Sequence, residues 1–136
     1  GEINTITGNR SWALSREMTM GLFEGELLTA KGVSDSGSLN EMVEALKYRS
    51  SIPRLGEIMA IMMPPAHQDN AFYKFWSRVM EPWDGPALIT YSNGRSLGAR
   101  FDRNGFRPCS WAITDDYQRQ RAYWINGRYC PPCCFF

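Results

Sequence analysis

The sequence predicts an α+β domain, and three observations carry that expectation. Apolar residues recur at helical spacing through Leu39, Met42, Val43 and Leu46. A broad aromatic face follows over residues 70–80 and is ended by Glu81-Pro82, because the residue before a proline avoids the helical region. Beyond it the period changes to short apolar runs separated by Asn93-Gly94 and Asn104-Gly105, both strong turn signals. Helices followed by an antiparallel β-meander define the α+β class.

Taken in order, residues 1–7 read as the end of a strand running into a loop. Asn9 or Ser11 caps a helix reaching about Met20, with Trp12, Leu14 and Met18 on or near its buried side. Gly21, Gly25 and Gly32 punctuate the next stretch. Ser38 followed by Glu41 fits a capping box at the head of the second helix. Pro53 suits the start of a third, continued by Leu55, Ile58, Met59 and Met62 until Pro64-Pro65. Phe72, Phe75, Trp76, Val79 and Met80 give a fourth, over residues 70–80, a broad aromatic face. Strands follow at 87–91, 96–101 and 109–114, the first two as a hairpin.

Composition narrows the function classes. At 136 residues, 43% hydrophobic and 21% charged, the chain fits one ordinary globular domain. Fifteen basic against fourteen acidic side chains leave a net charge of +1, which predicts no nucleic-acid partner and no anionic membrane surface. The most apolar stretch, 58–63, is far too short to span a bilayer. No signal-peptide pattern is visible, although the chain starts at glycine and not methionine. Three of the four cysteines lie in the last seven residues and form no disulfide framework. A reducing compartment is expected: cytoplasmic, or a plastid in a plant or alga.

Several blocks carry more specific information. The chain opens Gly1-Glu2-Ile3-Asn4-Thr5, then reads Gly8-Asn9-Arg10 with Trp12, and Ser34-Asp35-Ser36 with Ser38-Leu39. Met80-Glu81-Pro82-Trp83-Asp84-Gly85-Pro86 and Asp102-Arg103-Asn104-Gly105-Phe106-Arg107-Pro108 follow. In that order these blocks resemble the class II, N-terminal-nucleophile glutamine amidotransferase domain of glutamate synthases. The resemblance covers residues 1–116 as a partial domain; residues 117–136 form a divergent tail. It implies part of an N-terminal-nucleophile hydrolase fold, an αββα sandwich. It also implies a parent chemistry: glutamine is hydrolysed to glutamate and ammonia, and the ammonia aminates 2-oxoglutarate in glutamate biosynthesis. FMN and an iron–sulfur cluster would sit in other domains of the parent enzyme, with no cofactor or metal in this chain. Partners would be glutamine and those remaining domains.

The resemblance also assigns site residues. Gly1 matches the glycine of the family's oxyanion-hole Asn-Gly pair, whose asparagine lies one residue upstream. Asp35 matches the aspartate that holds the α-ammonium of glutamine, a pairing suited to a partly dry pocket; read without the family, Asp35 merely starts a helix. The family's nucleophile is a cysteine at its own N-terminus, whose α-amine takes the thiol proton. Cys109, Cys130, Cys133 and Cys134 are all internal, so this chain alone is expected to be inactive. The arginine that grips the glutamine carboxylate also lies upstream in the family. Asn9, Arg10 and Trp12 are expected to pack around the loop after Gly1, Arg103 and Arg107 to be structural, and the Met80 block to be architecture. Exposed apolar liabilities are expected at Phe72, Phe75, Trp76 and Trp83.

Other readings come from other classes. The chain could be a non-catalytic glutamine-binding protein, or the partner of a separately encoded upstream half. Cys130-Pro131-Pro132-Cys133-Cys134 has the Cys-x-x-Cys spacing of redox or zinc motifs, but the prolines argue against a helix opening there. The chain end loosely matches a prenylation box with no basic run before it. His67 has no partner at ligand spacing. Residues 117–136 contain no Asp or Glu, which suggests an out-of-frame or unrelated junction.

Overall fold

A computed structural model gives the structure of the chain; it describes residues 1–67, 69–115, 121–126 and 134–135, with side chains described as far as residue 110. Among the described residues four helices precede five strands, an order compatible with the expected α+β class. The first helix, α1 (Ile6–Arg16), begins earlier than its sequence signals suggested. Residues 1–5 contain no strand; Ile6 N donates to Ile3 O at 3.1 Å, turning the chain directly into the helix. The buried side of α1 is Asn9 and Ala13. Trp12, Leu14 and Met18 are exposed, correcting their expected burial. The helix turns its polar Asn9 inward because that side chain has buried work to do, and the apolar side chains face outward as a result.

Helix α2 (Asp35–Arg49) is capped by Ser34, whose hydroxyl accepts from Gly37 N at 3.1 Å. The cap therefore lies four residues before the expected Ser38, which is buried inside the helix. Asp35 in the first turn and Lys47 and Arg49 in the last complement the helix dipole. Leu39, Met42 and Leu46 form the buried stripe, as the spacing predicted. Helix α3 (Leu55–Met62) starts two residues after Pro53 and is buried along Ile58, Met59, Ala60, Ile61 and Met62. It packs against α2 and against the sheet, in keeping with the unbroken apolar run from Ile58 to Met62.

Helix α4 (Ala71–Trp76) is capped by the Asn70 side chain, which accepts from Tyr73 N at 3.0 Å. It is shorter than the 70–80 expected; tight turns carry the chain on to Met80, with Met80 N donating to Trp76 O at 2.9 Å. Phe72 and Trp76 pack partly buried against the core, while Phe75 and Val79 are exposed. Trp83, expected among the exposed liabilities, is buried to 1% exposure, and its amide donates to Met62 O at 2.7 Å.

Strands β1 (Leu88–Ser92) and β2 (Leu97–Phe101) form the expected antiparallel hairpin, in register from Leu88↔Phe101 to Ser92↔Leu97. Asn93 Oδ1 closes the turn by accepting from Arg95 N and Ser96 N. The meander does not continue. Strand β3 (Ser110–Asp115) pairs antiparallel with β4 (Arg121–Asn126) in a separate two-stranded sheet. The free edge of β2 instead takes β5 (Cys134–Phe135), through Gly98↔Phe135 and Ala99↔Cys134. Two stretches of the compositionally odd tail thus supply strands; the Cys130-Pro131-Pro132-Cys133 motif lies outside the described residues.

The core joins α2, α3 and the segments around Ile3, Met80, Trp83 and Ala87. Buried Arg100 on β2 ties these layers together. Its Nε donates to Met63 O at 2.7 Å and its Nη2 to the Tyr73 hydroxyl at 3.0 Å. Among the described residues no helix is long and apolar enough to cross a membrane.

Candidate functional site

Residues 1–5 have no ladder of their own, so their backbone groups need partners from elsewhere. The structure supplies them from two sides. On one side, Ile3 N donates to Asp35 Oδ2 at 3.0 Å, across 32 residues of sequence. On the other, Thr5 N donates to Asp84 O at 3.2 Å, and Asp84 N returns a bond to Thr5 Oγ1 at 2.9 Å. The Thr5 hydroxyl then donates to Asn9 Oδ1 at 2.6 Å, and Asn9 Nδ2 donates to Pro82 O at 3.1 Å. Asn9 is 2% exposed, so its amide is a buried bridge with both ends satisfied.

Gly85 completes this clamp. A Cβ there would strike the Glu2 carbonyl and lie 2.6 Å from Asn4 N and 2.8 Å from Ile3 Cα. Only glycine lets the two backbones approach this closely. Asp84 also pairs with Arg103 at 2.9 Å, and Arg107 Nε donates to Pro86 O at 2.6 Å. Arg103 and Arg107 are therefore structural, as expected. Asp102, buried, accepts from Asn104 N through Oδ2 at 2.9 Å and shapes the turn that presents Arg103. Within the Met80 block, Pro82, Asp84 and Gly85 contact the opening segment and the head of α1.

Arg10 braces the third side. Its Nη2 donates to Val33 O at 2.7 Å and its Nε to Ser38 Oγ at 3.0 Å, fixing α1 to the head of α2. Asn9 and Arg10 thus bridge around the opening loop as expected; Trp12 does not, and instead lies over the Arg16 guanidinium. The separated blocks of the sequence meet at one corner whose centre is the Gly1-to-Ile3 backbone and the Asp35 carboxylate.

The corner has clear electrostatics. Asp35 is partly buried at the positive end of α2, and one carboxylate oxygen already accepts an amide. Among the described residues Oδ1 has no protein donor. Gly1 lies against the start of the sheet; a Cβ on it would be 2.9 Å from Ala87 Cβ and 3.9 Å from Ile89 Cδ1. An open groove of about 620 Å³ between α2 and β1 is lined by Ser36, Leu39, Val43, Leu88 and Ile89, among others, but not by Asp35 or Gly1. A second hollow of about 520 Å³, between α3, α4 and the hairpin, shares Leu55, Tyr91 and Asn93 with it and is likewise not lined by Asp35.

The remaining sequence candidates stand apart. His67 is exposed on the loop after α3. Cys109 is buried beside the Ser110 carbonyl, with Sγ 3.7 Å from that oxygen. Among the described residues no cluster of His, Cys, Asp and Glu could hold a metal ion. What sequence reasoning missed is the clamp of Thr5, Asn9, Asp84 and Gly85. A signal was available: Thr5 and Asn9 stand four apart, and a glycine sits inside Trp83-Asp84-Gly85-Pro86.

Comparisons with known proteins point to one family. The family described as glutamine amidotransferases class-II matches residues 1–120. The chain is 43% identical over 129 residues to a protein named glutamate synthase [NADH] from Saccharomyces cerevisiae, covering 85% of this chain and 6% of that protein. It is 38% identical over 133 residues to a ferredoxin-dependent glutamate synthase of Pyropia yezoensis, covering 85% and 8%. A chloroplastic ferredoxin-dependent glutamate synthase of Oryza sativa subsp. japonica is 37% identical over 136 residues, covering 86% and 8%. The chain spans less than a tenth of the length of these curated relatives. With the family matched over nearly all of the sequence, the chain belongs to the class-II glutamine amidotransferases.

Proposed function

We propose that these residues form part of the glutaminase domain of a glutamate synthase. The domain would hydrolyse glutamine to glutamate and ammonia and deliver the ammonia for amination of 2-oxoglutarate. The observation that carries this reading is the placement of Asp35 against the backbone two residues from Gly1. In glutamine hydrolysis one end of the substrate is an ammonium and the other an amide carbonyl that becomes an oxyanion. A fixed carboxylate suits the first, and the peptide N–H that Gly1 would carry when joined to the upstream residue of the parent suits the second. The nucleophilic cysteine, its basic α-amine and the carboxylate-gripping arginine would come from a segment of the parent outside these 136 residues. The helices and hairpin would then form part of an N-terminal-nucleophile hydrolase sandwich. FMN and an iron–sulfur cluster would belong to other domains of the parent, which would be this segment's partners in nitrogen assimilation. Residues 1–116 would be the domain proper and 117–136 a divergent extension.

The test is ammonia release from glutamine. The chain is assayed alone and after mixing with the upstream part of a related amidotransferase domain that begins at its N-terminal cysteine. Release on mixing, lost again with Asp35→Asn in this chain, is the expected result. Release that is indifferent to Asp35 would refute the assigned role, and no release in any mixture would favour a non-catalytic glutamine-binding protein.

A further inference from the structure

We propose that the outer edge of β1 seats one further antiparallel strand, supplied by the parent residues that directly precede Gly1. The proposal rests on the reading of this chain as part of a longer domain, and it names the surface on which the upstream part assembles.

The opening segment already sets the register. Thr5 N donates to Asp84 O. Two residues back, Ile3 Cα lies 2.8 Å from where a Cβ on Gly85 would stand. At the start of the chain, a Cβ on Gly1 would stand 2.9 Å from Ala87 Cβ and 3.9 Å from Ile89 Cδ1. As the chain is followed back from Thr5 to Gly1, its neighbour advances from Asp84 to Ala87. Residues 1–5 thus run antiparallel to 84–87, about one residue for one. Ala87 leads directly into β1. Continued in the same direction, the residue three places before Gly1 falls opposite Thr90, three places after Ala87.

Strand β1 presents the groups that such a strand needs. Ala87 O accepts from Asp102 N and Asn93 N donates to Ser96 O, so the odd-numbered residues of β1 are the ones bonded to β2. Alternate residues of an antiparallel ladder turn their N–H and C=O to opposite edges. The backbone groups of Leu88, Thr90 and Ser92 therefore point away from β2, and among the described residues no strand pairs with that edge. Native sheets blunt a free edge with charge, proline or a bulge. Leu88-Ile89-Thr90-Tyr91-Ser92 has no charged residue and no proline, and its pairing with β2 runs without a bulge.

The space beside the edge has the shape of a strand. Every residue from Leu88 to Asn93 lines the groove of about 620 Å³. Successive strand residues point to opposite faces, so the groove follows the edge of the sheet and not one face. Leu39 and Val43 of α2 form its far wall. An occupant with apolar side chains at alternate positions would cover that wall and turn its polar side chains outward. The upstream segment is that occupant because it continues a packed interface already present between residues 1–5 and 84–87, and the chain ties it to the correct end. The relatives carry more than nine-tenths of their length outside the matched region.

The experiment is amide hydrogen exchange by NMR on the 136-residue chain and on the same chain extended at Gly1. The extension is the stretch of about eight residues that precedes the matching position in the Saccharomyces cerevisiae relative, long enough to pass Ser92. Without it, the amides of Leu88 and Thr90 should exchange fast, and that of Ile89, bonded to β2, slowly. The extension should slow Leu88 and Thr90 by about tenfold, the factor of one hydrogen bond, and leave Ile89 unchanged. Thr90→Pro in the extended chain removes an outward donor without touching the bonds to β2, and should restore fast exchange at Leu88. Equal exchange of Leu88 and Thr90 with and without the extension would overturn the proposal. So would equal protection by the same residues in scrambled order. Protection of both amides in the unextended chain that grows with protein concentration would overturn it in favour of a second copy on this edge. If the extended chain does not fold, the same residues added as a free peptide must shift the Leu88 and Thr90 resonances, and no shift overturns the proposal. None of these readouts involves glutamine. A failure here leaves the glutaminase reading standing, and absent ammonia release with Leu88 and Thr90 protected refutes that reading alone.

Discussion

Replacing Gly85 by alanine tests how tightly the opening segment is clamped. The new Cβ would meet three backbone atoms at once: the Glu2 carbonyl, Asn4 N at 2.6 Å and Ile3 Cα at 2.8 Å. Backbone cannot rotate aside as a side-chain tip can, and this backbone is bonded to Asp35 on one side and Asp84 on the other. Overpacking of this kind costs about 3 kcal/mol, the upper end of the usual range. In a chain of this size that lowers Tm by roughly 10 °C. Gly105→Ala is the control. It also asks alanine to adopt a positive φ, +64°, but nothing lies within 4 Å of its Cβ, so it should lose only about 1 kcal/mol. Urea unfolding of wild type and both variants measures the difference. If Gly85→Ala is no less stable than Gly105→Ala, the close approach of residues 2–4 to Gly85 is not a feature of the folded chain.

Three further changes probe the same architecture. Asn9→Ala removes the buried bridge between Thr5 and Pro82 and should lower stability by about 2 kcal/mol in urea unfolding. Arg103→Ala removes an ion pair whose arginine is largely exposed; a loss of at most about 1 kcal/mol is expected, shrinking further at high salt. Arg100→Met removes charge-assisted bonds to Met63 O and the Tyr73 hydroxyl from a buried site, and should cost about 3 kcal/mol, with α4 loosening first by hydrogen exchange.

The sequence revealed elements more readily than their partners. The α2 stripe was legible because Leu39, Met42 and Leu46 are bulky, periodic and buried on one side. The β1–β2 hairpin was legible because Asn93-Gly94 has local turn chemistry. Helix α1 was misread because its buried residues are only the small Ala13 and the polar Asn9, whose hydrogen bonds to Thr5 and Pro82 no apolar pattern reports. The pairing of β3 with β4 and of β5 with β2 is non-local or lies in a tail with unusual composition, and spacing alone does not specify it. Asp35 was found only through family resemblance. Its own surroundings look like an ordinary helix start, and the bond to Ile3 N that distinguishes it joins residues far apart in sequence.

The most direct measurement is an NMR titration of the chain with L-glutamine and, separately, with glutaramate, which lacks the α-amino group. If Asp35 is an ammonium anchor beside the Gly1 backbone, L-glutamine shifts the amides of Asp35 and of residues 1–4 with a Kd of roughly millimolar order, and glutaramate does not. Equal responses to the two compounds, or shifts confined to some other part of the chain, would contradict the assignment of this corner as the glutamine site.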